Sequence, residues 1–261
     1  MIANRSADAG EAVAAEIERD FGDRGARALY VRTDVSEQES VRALVETTVG
    51  EHGGIDILVN NATPTGSLSR FEYMDNVAME QHLSVNYYGC LWTMQAAFPY
   101  MKAKGWGRII NMASLNGVNA HKYSVMYNGS KEALRALTRT AAVEWGRYGI
   151  TCNVLCPAAA TPPWEMFKRL SPRTAKGLVM AMPLQRMGTA EEDIGPVTVF
   201  LASDASRYVT GNTIHADGGG HISGVPWKFK LPESRYWHEK FGALSRRIQA
   251  RANRKPRRKG R

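Results

Sequence analysis

Tyr127-Asn128-Gly129-Ser130-Lys131 sets a phenol and an ammonium four residues apart in a stretch with helical patterning. At that spacing both side chains share one helix face, and their heads can converge on one small volume. A free phenol titrates at about pKa 10 and is a poor base at neutral pH. A fixed ammonium one turn away favours the phenolate, so Tyr127 could exchange a proton with an alcohol or carbonyl oxygen. The five residues alone favour a blander reading, an amphipathic surface pair.

The order of other signals overturns it. Asn60-Asn61-Ala62 follows an apolar strand pattern, and Val85-Asn86-x-x-Gly89 lies in the next helix. A second apolar strand ends in Ser114, thirteen residues before the tyrosine, and Asp217-Gly218-Gly219 closes the last strand. In this order the motifs resemble the short-chain dehydrogenase/reductase family from roughly Ile2 to Gly219. Each piece is common; the joint match is specific.

The elements that must position these residues alternate. Helices are expected over Ala7–Phe21, with Val13, Ile17 and Phe21 as the apolar stripe, and from a capping box at Ser36–Glu39 to His52. Further helices are expected near Phe71–Gln81 and Leu83–Lys104, from Tyr127 to about Tyr148, and from a capping box at Thr189–Glu192 to Ala202. Strands are expected at Met1–Ala3, Ala28–Thr33, Ile55–Asn60 (buried), Arg108–Ala113, Ile150–Leu155 and Thr213–Ala216. Residues 158–187 show no clean period and read as a long lid rich in Pro, Met and aromatic residues. Such alternation predicts an α/β fold, a Rossmann-type doubly wound parallel sheet in a single domain over 1–219. A partly helical extension over 220–250 and a disordered basic tail over 251–261 follow.

The formal charge of +9 invites a nucleic-acid reading. Its placement argues otherwise: Trp227–Arg261 holds thirteen Lys/Arg and two Asp/Glu, leaving 21 basic and 23 acidic side chains elsewhere. The high pI belongs to the tail, where nucleic-acid contact stays the weaker alternative. Cys90, Cys152 and Cys156 make neither a disulfide framework nor a zinc signal and read as buried thiols. No metal site is expected. No apolar run is long enough to span a bilayer, and the expected location is cytoplasmic.

In open parallel sheets ligands bind beyond the carboxyl ends of the strands, where Asn4, Arg5, Asp34, Asn60, Ser114 and Pro157 all fall. The resemblance assigns roles there. Tyr127 would be the acid/base, and Lys131 would lower its pKa and hold the nicotinamide ribose. Ser114 would hydrogen-bond the reacting oxygen, and Asn86 would help hold a water in the proton relay. Asn4, Arg5, Asn60, Ala62, Pro157 and Thr161 would line the cofactor cleft, with Asp34 and Val35 flanking the adenine. His121 lies near Ser114, but no nucleophile-elbow pattern supports a Ser–His hydrolase. No acidic residue ends the first strand and Arg5 follows it, which favours NADP(H) over NAD(H), the latter remaining possible.

The implied function is hydride transfer between that cofactor and an apolar carbonyl or alcohol, such as a ring ketone, a steroid-like alcohol or a 3-oxoacyl compound. The alternative is a non-catalytic binding protein of the same fold, or an inactive truncated fragment. A homo-oligomer, dimer or tetramer, is implied too. The sequence departs from the family at its start: about thirty residues, one strand, a Gly-rich turn and a helix, have no counterpart before Met1. The expectation is that the strands ending at Arg5 and Asn60 lose their shared neighbour and that dinucleotide binding suffers.

Overall fold

Apolar runs of the kind found at 107–112 and 150–157 bury themselves only as central strands with helices on both faces, and the chain folds accordingly. The computed structural model describes residues 1–64 and 69–222. The first half runs β1 (Ile2–Asn4), α1 (Ala7–Phe21), β2 (Tyr30–Arg32), α2 (Gln38–His52), β3 (Ile57–Asn60), α3 (Asn76–Leu83) and α4 (Gly89–Lys104). There follow β4 (Gly107–Met112), α5 (Leu115–Val118), α6 (Val125–Trp145), β5 (Ile150–Pro157), α7 (Pro162–Leu170), α8 (Pro172–Ala181), α9 (Gly195–Ala202) and β6 (Thr213–Ala216). Residues Met1–Ile222 form one compact unit. The extension and tail expected over 220–261 lie, from residue 223 on, outside the described residues.

All described strand pairs are parallel, so within each ladder the strands end on the same edge. Adjacent residues of β4 face opposite layers. Ile109 packs with Met94, Ala97 and Met101 of α4 and Ala141 and Ala142 of α6. Ile110 packs with Leu155, Ile194 and Leu201 on the α9 side. Each large apolar side chain buried this way contributes about 1.5–3 kcal/mol, so β4 and β5 are the firm centre.

Pairing is not continuous. β1 pairs with β2, and β3-β4-β5-β6 make a separate ladder. β3 is therefore an edge strand, with Ile57 and Val59 both above 40 % exposed, instead of the buried strand its apolar sequence implies. The expected stripe on α1 fails for a related reason. That helix has only a short two-stranded sheet to cover; it buries Gly10 and Ala14, while Val13 and Phe21 stay exposed.

Two local expectations need correction. Ser36 does not cap α2, because its hydroxyl and backbone N–H both donate to Asp34 Oδ1, at 2.6 and 3.0 Å. The lid region is not irregular. Pro162 and Pro172 sit in the first turns of α7 and α8, where a missing N–H costs nothing. Thr189, by contrast, does cap its helix, accepting from Glu192 N at 3.2 Å.

Two glycine motifs have a packing reason. A Cβ on Gly89 would lie 2.6 Å from the Val35 carbonyl oxygen, so only glycine lets α4 meet the β2–α2 loop. Gly218 and Gly219 take φ of 61° and 83°, and the turn they form is pinned by the buried Asp217 carboxylate, which accepts from Gly219 N and His221 N.

One polar chain fixes β3 against the core. Asn111, fully buried on β4, accepts from Asn60 Nδ2 at 2.8 Å and donates to Thr138 Oγ1 at 2.9 Å. Asn111→Ala removes both bonds and strands two partners, so urea unfolding should show a loss of about 2–3 kcal/mol. A loss below about 0.5 kcal/mol would mean that the chain of bonds does not tie β3 to the sheet.

Candidate active site

Helix α6 carries the central pair. Its buried residues include Met126, Ser130, Lys131, Leu134, Thr138, Ala141 and Ala142, one stripe facing β4 and β5. Lys131 is thus drawn into the interior at the end of β4, 3 % exposed, where its Nζ donates to the Met112 carbonyl at 2.7 Å. The ammonium also lies 5.7 Å from the centre of the Tyr127 ring. Ser114 follows β4, caps α5 by accepting from Asn116 N at 3.2 Å, and stands near enough to the Tyr127 hydroxyl to lower its pKa.

Asn86 sits in a π-helical segment, Ser84–Tyr88, between α3 and α4. Widened turns of this kind concentrate at functional sites. The Asn86 amide is wholly buried; its Nδ2 donates to Ser130 Oγ at 3.0 Å, and its Oδ1 has no hydrogen-bond partner among the described residues. Asn86, Ser114, Tyr127 and Lys131 are therefore gathered at one strand-end cluster.

The electrostatics differ from the expected ones in one respect. Burial pushes the Tyr127 phenol above its ordinary range, and the neighbouring Ser114 hydroxyl offsets this only in part. The Lys131 ammonium is turned to the Met112 carbonyl and lies by the face of the ring, 5.7 Å from its centre. Burial lowers Lys131 itself to about 8, with smaller opposing effects from Cys90 and Cys156. The three cysteines are free and buried, as expected.

The expected cofactor residues are spread along the same edge. Asn4 holds its turn, its Oδ1 accepting from Ser6 N at 3.0 Å, while Arg5 is exposed with its Nη1 3.7 Å from Asp34 Oδ2. Asp34 is held below the usual carboxylate range, mainly by its bonds to Ser36. Val35 abuts Gly89, and the Asn60 amide is engaged with Asn111 and Thr93. Ala62 is exposed just past β3, Pro157 ends β5, and Thr161 precedes α7 without using its hydroxyl as a cap. His121 pairs with Ser124 at 3.1 Å, not with Ser114, so the hydrolase arrangement is absent there.

Sequence reasoning missed His82. It is 2 % exposed at the end of α3, meets the Tyr127 ring edge-on at 6.0 Å, and lies 3.5 Å from Asn86 Nδ2. The signal available was its spacing of four from Asn86.

Comparison with known proteins bears directly on this arrangement. The family model described as enoyl-(acyl carrier protein) reductase matches residues 1–221. A 12alpha-hydroxysteroid dehydrogenase of Clostridium sp. is 32% identical over 208 residues, covering 78% of this chain and 79% of that protein. The chain belongs to the short-chain dehydrogenase/reductase family. Solved structures of similar proteins agree with the fold. Levodione reductase aligns with a TM-score of 0.79 at 30% identity, covering 84% of this chain and 86% of that one. A gluconate 5-dehydrogenase from Burkholderia cenocepacia J2315, in complex with NADP and tartrate, aligns with a TM-score of 0.75 at 31% identity, covering 86% and 85%. Among the described residues of this short-chain dehydrogenase/reductase, no helix is long and apolar enough to cross a membrane, and no cluster of ligands could hold a metal ion.

The depressed Lys131 pKa makes a stability prediction. Between about 8 and 10.5 the unfolded chain binds a proton that the folded chain does not, so folded stability rises with pH across that window. Relative to Lys131→Met, the parent should gain about 3 kcal/mol from about pH 7 to about pH 11 in paired urea titrations. A difference flat with pH would show Lys131 to be an ordinary solvated amine.

Proposed function

We propose that this short-chain dehydrogenase/reductase transfers a hydride between NADP(H), preferred to NAD(H), and an apolar carbonyl or alcohol. Ring ketones, steroid-like alcohols and 3-oxoacyl compounds are the substrate classes to test, and the similar hydroxysteroid dehydrogenase supports the second. The observation that carries the reading is the Tyr127 phenol set beside Ser114, with the Lys131 ammonium 5.7 Å from the centre of its ring.

The residues fit a nicotinamide dinucleotide by the chemistry of their groups: hydroxyls and a buried ammonium beyond β4, and an exposed guanidinium beyond β1, 3.7 Å from Asp34. Tyr127 and Lys131 would hold the nicotinamide end, with Asn60, Ala62, Pro157 and Thr161 lining the cleft. Asn4, Arg5, Asp34 and Val35 would hold the adenine end. When bound, the cofactor supplies or accepts the hydride. Ser114 and Tyr127 supply two O–H donors to the substrate oxygen, where negative charge grows during reduction. Tyr127 then gives up its proton to that oxygen, and takes it back in the oxidative direction. The phenol, which burial raises above its ordinary range, is protonated at neutral pH and can donate. The buried Lys131 ammonium would hold the nicotinamide ribose, and the Asn86 oxygen, without a partner among the described residues, accepts a donor, such as a water, that passes the proton onward.

The same reading places the protein in the cytoplasm as a homo-oligomer. Exposed apolar side chains on the outer helices, Tyr88 stacked on Trp92 and Val143 at 85 % exposure, support self-association.

Two measurements test the site. Tyr127→Phe keeps the ring and removes the proton; turnover on a ketone and alcohol panel should drop by about two orders of magnitude or more, with folding intact by circular dichroism. A Phe variant within a few-fold of the parent would refute the assignment. For the cofactor, Arg5→Ala should weaken NADPH about ten- to hundredfold while leaving NADH nearly unchanged, read by fluorescence titration. Equal losses would leave Arg5 without a role in phosphate recognition.

A further inference from the structure

A chain of hydrogen bonds runs from a helix carbonyl of α6 to His82, and its polarity can be read from one end. The Tyr127 carbonyl can only accept, so Ser130 Oγ, 3.0 Å away, spends its hydrogen there. Ser130 must then accept from Asn86, whose Nδ2 lies 3.0 Å from the hydroxyl oxygen. The same nitrogen lies 3.5 Å from His82 Nδ1, which must therefore also accept. His82 is thus neutral with its proton on Nε2, and the Asn86 oxygen is turned away from both partners, buried and without a partner among the described residues.

We propose that His82 is a positioning residue: its unprotonated Nδ1 holds the Asn86 amide with its oxygen toward the proton-relay site, and protonation of His82 turns the amide over. In the protonated state Nδ1–H donates to the Asn86 oxygen, and the Ser130 hydroxyl rotates from the Tyr127 carbonyl to the same atom. The Asn86 NH2 then occupies the place its oxygen held, and the acceptor is lost. One proton from solvent and two side-chain rotations suffice, with no change of backbone.

The surroundings set where this happens. Facing His82 from α6 are Tyr127, neutral, and the Lys131 ammonium. Cys90 of α4 and Cys156 of β5 stand around Lys131, their thiols pushed by burial to about 12 and about 11, so neither supplies a negative charge at neutral pH. Burial first, and then the Lys131 charge, hold His82 below its ordinary range, so the switch operates on the acid side of neutrality. The effect of this switch on turnover rests on the dehydrogenase reading of Asn86; its proton arrangement does not.

The test has two arms on the full chain. Histidine 1H–15N correlation NMR should show His82 at neutral pH as the Nε2–H tautomer. The isosteric change Asn86→Asp, which offers only acceptor oxygens, should raise the His82 pKa by more than about one unit. A proton on Nδ1 at neutral pH in the parent, or an unmoved His82 in the Asp variant, overturns the proposal whether or not the protein turns over. In the kinetic arm, His82→Leu should lower kcat about tenfold at neutral pH, the equivalent of one hydrogen bond. His82→Gln, whose carbonyl can accept in place of Nδ1, should recover most of that loss and abolish the acid limb of the pH profile. Retention of the parent's acid limb by His82→Gln also overturns the proposal. Absence of turnover in the parent would instead count against the dehydrogenase reading, leaving the NMR arm to decide.

Discussion

The rest of the structure depends on setting a buried ammonium beside a half-buried phenol at the end of β4. Water would solvate Lys131 far better than the Met112 carbonyl does, and its pKa near 8 reflects that loss. The position persists because the same face of α6 carries Met126, Leu134, Ala141 and Ala142 into the core. Those apolar contacts fix the helix, and Lys131 goes where the helix takes it. The price in stability is paid for a site whose charges are little screened by solvent.

Polar chains extend that rigidity to the neighbouring elements, and each ends on a helix carbonyl. Thr138 donates to the Leu134 carbonyl and accepts from Asn111, which in turn accepts from Asn60. Ser130 donates to the Tyr127 carbonyl and accepts from Asn86. An acceptor-only group at one end leaves each chain a single direction. Asn60 and Asn86 thereby receive fixed amide orientations from α6, although one lies on β3 and the other in the π-helical segment. The catalytic helix sets its own surroundings.

Much of this was legible in the residues. Helix α1 and strand β6 fall where their patterns place them, and β4 and β5 within a residue or two, since long periodic or apolar runs leave few alternatives. Ser114, Asn86, Tyr127 and Lys131 came together as their order implied. What escaped was tertiary. Ile57 and Val59 look like core, yet the edge position of β3 exposes them. Ser36 looks like a cap, yet Asp34 is a nearer acceptor. The tyrosine pKa was misjudged because spacing reports that an ammonium is near, whereas the balance turns on how dry the pocket is. His82 was missed because a lone histidine on a helix is more often a satisfied core residue, and only the Ser130–Asn86 pair reveals its proton state.

The central claim is that burial keeps Tyr127 a protonated acid beside a cationic Lys131. Tyrosine labelled with 13C at Cζ measures that directly, since the carbon shifts strongly between phenol and phenolate. In the free protein the Tyr127 resonance should remain that of a phenol past its ordinary titration point of about 10. A Tyr127 resonance already that of a phenolate near neutral pH would contradict the account.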